Sequence, residues 1–131
     1  MRKREDLIFE FNYSSQYKYA SLEVKGIDGG TSRKHVIQCN SWAEQRSLES
    51  KEQVKPVLIL NQHRHQPYSG SQSARVEIEY NALKHAISKD VCIIPTPIIL
   101  NAVNKKLADK ARPREEIERL IAEKKGVLID L

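Results

Sequence analysis

Apolar and polar positions alternate near the start of the chain, with Ile8 the one apolar residue on the polar side. In Asp6-Leu7-Ile8-Phe9-Glu10-Phe11-Asn12, Leu7, Phe9 and Phe11 fall on one side and Asp6, Ile8 and Glu10 on the other. That two-residue period predicts a strand. Tyr17-Lys18-Tyr19-Ala20-Ser21-Leu22-Glu23-Val24-Lys25 alternates in the same way, with Leu22 and Val24 on one face and Glu23 and Lys25 on the other. Tyr13 to Gln16 reads as the hairpin loop between them. A four-residue loop fixes a register: Asn12 opposite Tyr17, Phe9 opposite Ala20, Leu7 opposite Leu22, and Asp6 opposite Glu23. Residues directly opposite share a face, so Leu7, Phe9, Ala20 and Leu22 make one apolar surface. Asp6, Glu23 and, one step on, Lys25 gather on the other. A slip of one residue would destroy both sets.

The pattern then changes. Gly26 to Gly30 reads as a turn, without the Gly-Lys-Ser/Thr ending of a phosphate-binding loop. Thr31 or Ser32 is suited to cap a helix running to about Ser47, carrying Gln38 and, one turn on, Trp42. A charged linker is expected from Glu49 to Lys55. Pro56-Val57-Leu58-Ile59-Leu60 is continuously apolar, as in a central strand covered on both faces. A polar loop spans Asn61 to Ser73. Val76, Tyr80, Leu83 and Ile87 predict an amphipathic helix from about Ala74 to Ser88. Val91-Cys92-Ile93-Ile94 reads as a buried strand. Thr96 is read as a helix cap with Pro97 at the first position, and Ile99, Ala102, Val103 and Leu107 as the inner face. Pro113 opens a last helix with Ile117, Leu120 and Ile121 inward, ended by Gly126, and Val127-Leu128-Ile129 is a short apolar tail. This order predicts a single α/β domain over residues 1–131. Its sheet is mixed, with an N-terminal antiparallel hairpin, and has helices on both faces.

Composition narrows the class. The 131 residues are 40% hydrophobic and 30% charged, enough apolar content for a packed core. No apolar run reaches membrane-spanning length and the first residues lack a signal-peptide core, so a soluble, cytoplasmic protein is expected. Cys39 and Cys92 suit a reducing compartment and lack zinc-ligand spacing. A net charge of +5 favours polyanions only weakly.

The candidate chemistry lies in Asp6, followed after sixteen residues by Glu23-Val24-Lys25 on the second hairpin strand, and then by Gln38-Cys39-Asn40-Ser41-Trp42 on the following helix. This arrangement resembles the restriction-endonuclease-like nuclease superfamily, whose signature is Asp, a variable gap, then Asp/Glu-x-Lys. The Gln38 stretch is similar to a Gln-x-x-x-aromatic motif of some branches. The stretch from Val57 to Pro67, with Asn61, Arg64 and Pro67, together with Arg75 and Ile93-Ile94-Pro95-Thr96, resembles certain uncharacterised bacterial members. The resemblance implies a three-layer sandwich and a Mg²⁺- or Mn²⁺-dependent nuclease acting on DNA. Asp6, Glu23 and the Val24 carbonyl would hold the metal, Lys25 would orient water or touch the phosphate, and Gln38 would position the nucleotide. Glu10, on the face of Asp6, is a reserve ligand.

Family members usually carry a helix before the hairpin, whereas only five residues precede Asp6. The chain is therefore read either as the C-terminal part of a longer one or as a trimmed variant. A second copy or a neighbouring domain would then cover the hairpin. Other readings stand beside the nuclease. One is a catalytically inactive module of the same fold that binds nucleic acid or protein. Another is a structural protein in which Glu23 and Lys25 merely pair. His63 and His65 read best as solvated loop residues, and Lys105, Lys106, Lys110, Arg112 and Arg114 as a solvated basic face.

Overall fold

The computed structural model describes residues 7–13, 16–29, 33–65 and 76–131. The strands are β1 (Leu7–Glu10), β2 (Tyr19–Gly26), β3 (Val54–Asn61), β4 (Cys92–Pro95) and β5 (Gly126–Val127). The described helices are α1 (Arg33–Ser50), α2 (Tyr80–Ser88), α3 (Thr96–Leu107) and α4 (Arg114–Glu123). The strands form one mixed sheet in chain order, β1-β2-β3-β4-β5. β1 runs antiparallel to β2, and all later pairs are parallel. No described helix is long and apolar enough to cross a membrane.

The hairpin adopts the expected register, with Leu7 opposite Leu22 and Phe9 opposite Ala20. Phe11 is buried, Phe9 stacks edge-on against it at 4.9 Å, and Leu22 packs beside them, while Leu7 at the sheet edge stays 61% exposed. The alternation along β3 and β4 feeds two cores. Val57, Cys92 and Ile94 join Phe11, Tyr17 and Ala20 under α3 and α4, which contribute Ile98, Ile99, Ala102, Ile117, Leu120, Ile121 and Ala122. Leu58, Leu60 and Ile93 point the other way, against Val36 and Cys39 of α1 and Ala82 and Ala86 of α2. The result is three layers, helices on sheet on helices. The strand order keeps advancing while the connection changes face after β4. The β4–β5 crossover therefore has the opposite hand to the β2–β3 and β3–β4 crossovers.

Several local expectations are corrected. α1 runs to Ser50 rather than Ser47, and Lys51 leaves it at φ 60°. The stretch Glu49 to Lys55 is no charged linker, because β3 begins at Val54 and Lys55 is fully buried within it. The chain is non-helical at 77–79, and α2 starts at Tyr80 with the Glu79 side chain capping Asn81 N–H. Its buried positions are Ala82 and Ala86, whereas Tyr80 and Ile87 of the expected stripe are 72% and 49% exposed. Small residues let α2 lie close to α1. Thr96 does not cap α3: Pro95 is the N-cap residue, and the Thr96 hydroxyl instead donates to Asn61 Oδ1 at 3.1 Å. Val103 and Leu107 are exposed. α4 ends at Glu123, and Gly126 opens β5 with φ 96°.

Candidate functional site

The parallel strands β2, β3 and β4 finish at one edge of the sheet, with Gly26 in register with Asn61 and Leu60 with Pro95. In open α/β sheets, ligands sit outside this carboxyl edge. Glu23 and Lys25 lie there on the α1 side of β2. Glu23 is buried, 4% exposed, and its Oε1 is 3.1 Å from Lys25 Nζ. The lysine side chain is one-third exposed, so the pair joins a buried carboxylate to a cation that reaches solvent. Val24 sits between them in register with Ile59, its side chain on the opposite face and 47% exposed.

α1 roofs this pair. Burial pushes the Cys39 thiol well above its ordinary value, and the charge of Glu23 adds to the effect. One turn earlier, His35 is held below its ordinary value, first by burial and then by the cations Lys34 and Lys25. His35 is therefore neutral at pH 7, and its buried Nδ1 has no hydrogen-bond partner among the described residues. Four residues of α1 and β2 thus share one electrostatic neighbourhood: Glu23, Lys25, His35 and Cys39.

A second group closes the edge. The hydrogen bonding between β2 and β3 continues past the strand ends, through Ile27 N–H to the Asn61 carbonyl at 2.9 Å and Arg64 N–H to the Ile27 carbonyl at 3.0 Å. Arg64 Nε and His65 Nε2 both reach Asp28 Oδ1, at 2.9 and 2.8 Å. Arg64 is the first cause that holds the Asp28 carboxyl below the usual range. The stem of Arg64 lies against Gly26, where an added Cβ would stand 3.1 Å from Arg64 Cδ.

Of the other sequence candidates, those among the described residues do not join Glu23 and Lys25. Asp6, Pro67 and Arg75 lie outside the described residues, and the described hairpin register ends at Leu7–Leu22. Gln38 is exposed on α1 and bonds to neither Glu23 nor Lys25. Trp42 is half-buried, with an indole N–H that has no partner among the described residues. Glu10 is ill placed as a reserve ligand. It pairs with Lys18 at 2.6 Å and stands opposite Tyr19, four residues or about 13 Å along β2 from Glu23. Most of the basic cluster is neutralised by ion pairs, Lys105 and Arg112 with Asp130, Arg112 with Glu116, and Arg114 with Glu118. Among the described residues, no three His, Cys, Asp or Glu side chains converge on one point.

At the opposite edge lies a cluster that the sequence did not signal. Lys55 Nζ donates to Asp90 Oδ1 at 2.8 Å and to the Lys124 carbonyl at 2.7 Å, and stands 5.3 Å from the centroid of the Tyr17 ring. The Tyr17 hydroxyl donates to the other Asp90 oxygen. A lysine in a charged run reads as solvated, and its partners are 35 and 69 residues away.

The chain matches no protein-family model, no curated protein and no solved structure. What can be said of its function rests on this geometry and on the sequence pattern.

Proposed function

We propose that the chain is a restriction-endonuclease-like domain and a divalent-cation-dependent nuclease that hydrolyses DNA phosphodiesters in the cytoplasm. The observation that carries the reading is the buried Glu23 carboxylate, held against Lys25 at the carboxyl edge of the parallel strands. A surface ion pair contributes little to stability, and burying one of its partners costs solvation. A carboxylate kept there at that cost suits a ligand-binding role better than a purely structural one. Its hard oxygen donors fit Mg²⁺ or Mn²⁺, which take one or two carboxylates plus waters and substrate phosphate. Glu23 would hold the ion, with Asp6 as the second carboxylate and the Val24 carbonyl as a further donor. The ion would act as a Lewis acid and supply an activated water.

The protein groups have definite tasks in this reading. Lys25 places a mobile positive charge where negative charge grows on the phosphoryl oxygens. His35 stays neutral beside it. The α1 roof and the buried wall of β2 shield the Glu23 carboxylate from water, while Lys25 reaches solvent to meet the substrate.

The test is Mn²⁺ titration by calorimetry on the wild type and Glu23→Gln, followed by cleavage of a labelled DNA duplex. Mn²⁺ binding by the wild type that disappears in the variant is the expected result. Lys25→Ala should then bind the ion and cleave about 100-fold more slowly or worse. Binding that is absent, or that Glu23→Gln leaves unchanged, overturns the site.

One observation favours a second reading, a non-catalytic DNA- or protein-binding module of the same fold. Glu23 already has a counter-ion in Lys25, and no group of three His, Cys, Asp or Glu side chains able to hold a metal forms among the described residues. Salt-dependent DNA binding that survives Glu23→Gln, without cleavage, would establish that reading. Either form leaves room for a second copy or neighbouring domain over the hairpin, where Leu7 and Val24 are exposed.

A further inference from the structure

Among the described helices, α3 alone has no fully buried residue. Ile98, Ile99 and Ala102 rest half-buried against the core. Leu100, Val103 and Leu107 recur three and four residues apart on a neighbouring stripe and are 45%, 48% and 81% exposed. At about 100° per residue, the apolar side chains from Ile98 round to Leu100 span roughly 200° of the helix. Packing against a sheet needs a stripe of little more than about 100°. The fold therefore covers one half of the apolar surface of α3 and leaves the other half to solvent. Between α3 and α4 this surface dips into a groove of about 350 Å³, floored by Ile99, Ala102, Val103 and Ile117. Val103 belongs to both, so groove and stripe are continuous. Lys106, Arg112 and Arg114 rim the groove, and no acid lines it among the described residues. The two arginines are paired with acids of their own chain. Lys106, and Lys110 just past the helix, are exposed and meet no carboxylate among the described residues.

We propose that the Leu100–Val103–Leu107 stripe and the adjoining groove dock an amphipathic helix of a partner protein, its apolar side chains on the stripe and in the groove and its acidic side chains against Lys106 and Lys110. A contiguous exposed apolar surface rimmed by charge marks an interaction site. The stripe runs about 10 Å along the helix axis, or two turns. A helix laid in a groove presents anchors at the same three- and four-residue spacing. Charge selects the occupant. The rim is cationic, and the stretch from Thr96 to Ala108 contains Lys105 and Lys106 but no acid. A second copy packed stripe to stripe would bring that same acid-free helix, and the lysines would gain no counter-charge. A partner with acidic flanks supplies it, and complementary charge of this kind fixes partner choice. The surface lies on the opposite face of the sheet from Glu23 and Lys25, so the proposal stands independently of the nuclease reading.

The experiment uses two synthetic helical peptides as probes, both with leucines at three- and four-residue spacing. One carries glutamates on its flanks and the other carries lysines at the same positions. Each is titrated into the isotope-labelled full chain and followed by NMR. The glutamate peptide should shift the amide signals of Leu100, Val103, Leu107 and Ile117, and should bind at least about 10-fold more tightly than the lysine peptide. Leu107→Ser should weaken its binding at least about 10-fold. Lys106→Glu should abolish or reverse the preference between the two peptides. Both residues are exposed, so neither substitution opens the core, and circular dichroism confirms that each variant is folded. Sedimentation velocity of the chain alone tests self-association. No binding of the glutamate peptide overturns the proposal, as does equal affinity for the two peptides, or binding that Leu107→Ser leaves unchanged. A preference undiminished in Lys106→Glu overturns it as well. So does a dimer of the wild type that Leu107→Ser dissolves, which would make a second copy the occupant.

Discussion

Asp90→Asn is the sharpest test of how the amino edge of the sheet is held. The substitution keeps the size of the side chain, and asparagine tolerates the left-handed φ of 58° at this position, so little changes except the charge. Lys55 is completely buried and Asp90 is its carboxylate partner at 2.8 Å. Its other contacts are a carbonyl oxygen and the face of the Tyr17 ring. Without the carboxylate, an ammonium ion remains in the core with only dipoles to solvate it. Breaking a buried pair from one side costs about 3–5 kcal/mol. A domain of this size has a total stability of roughly 5–15 kcal/mol, so a fifth or more should vanish. Urea unfolding followed by Trp42 fluorescence measures the loss as a lower midpoint at unchanged slope. The double variant Lys55→Met/Asp90→Asn gives the sign. Removing both charges leaves no buried ion, so it should be more stable than Asp90→Asn alone. A loss below about 1 kcal/mol in Asp90→Asn, or a double variant less stable than the single one, would refute the claim that Lys55 is a buried, compensated cation.

Other expectations follow from single positions. Gly126→Ala should cost about 1–3 kcal/mol in the same assay. Its φ is 96°, and the new Cβ would stand 3.1 Å from both Leu83 and Ile87. His35 is held neutral in the folded protein, so below its ordinary value near 6.5 the unfolded chain takes up a proton that the folded one resists. Stability should fall as the pH drops through that value, and the slope should flatten in His35→Gln; an identical slope in the variant would exclude the effect. Burial raises the Tyr17 hydroxyl and the Cys39 thiol, and pushes Cys92 up to about 12. These groups keep their protons when folded and release them sooner when unfolded. The melting temperature should therefore hold below about pH 8.5 and decline as the pH climbs above it, with Tyr17→Phe losing the part above about pH 10.

The hairpin was legible because two signals agreed, the alternation of Leu7, Phe9, Ala20 and Leu22 and a loop of definite length. The same alternation put Glu23 and Lys25 on one face, which the structure shows. The central strand over Val57, Leu58 and Leu60 declared itself by continuous apolarity, as burial on two faces requires. The misses have a common cause. Large apolar residues at helical spacing suggested an inner face at Tyr80 and Ile87, but the contact between α1 and α2 is made by Ala82 and Ala86, which carry little hydropathy signal. Lys55 looked like part of a solvated linker because its compensating groups come from distant segments. The seating of Arg64 on Gly26 was equally invisible, since 38 positions separate them and only the parallel pairing of β2 with β3 joins them.

The change of face after β4 bears on how the chain is made. Up to Pro95 the strands can assemble from neighbours in sequence, a hairpin followed by two strand–helix–strand units. The other face closes only with the last third of the chain, through contacts as remote as Asn12 N–H to Glu118, 106 residues apart. During synthesis from the N-terminus, Phe11, Tyr17, Ala20, Val57 and Ile94 thus form an uncovered greasy panel until α3 and α4 have left the ribosome. That interval is when a holding chaperone would be needed, and when a stalled or truncated nascent chain would be most prone to aggregate.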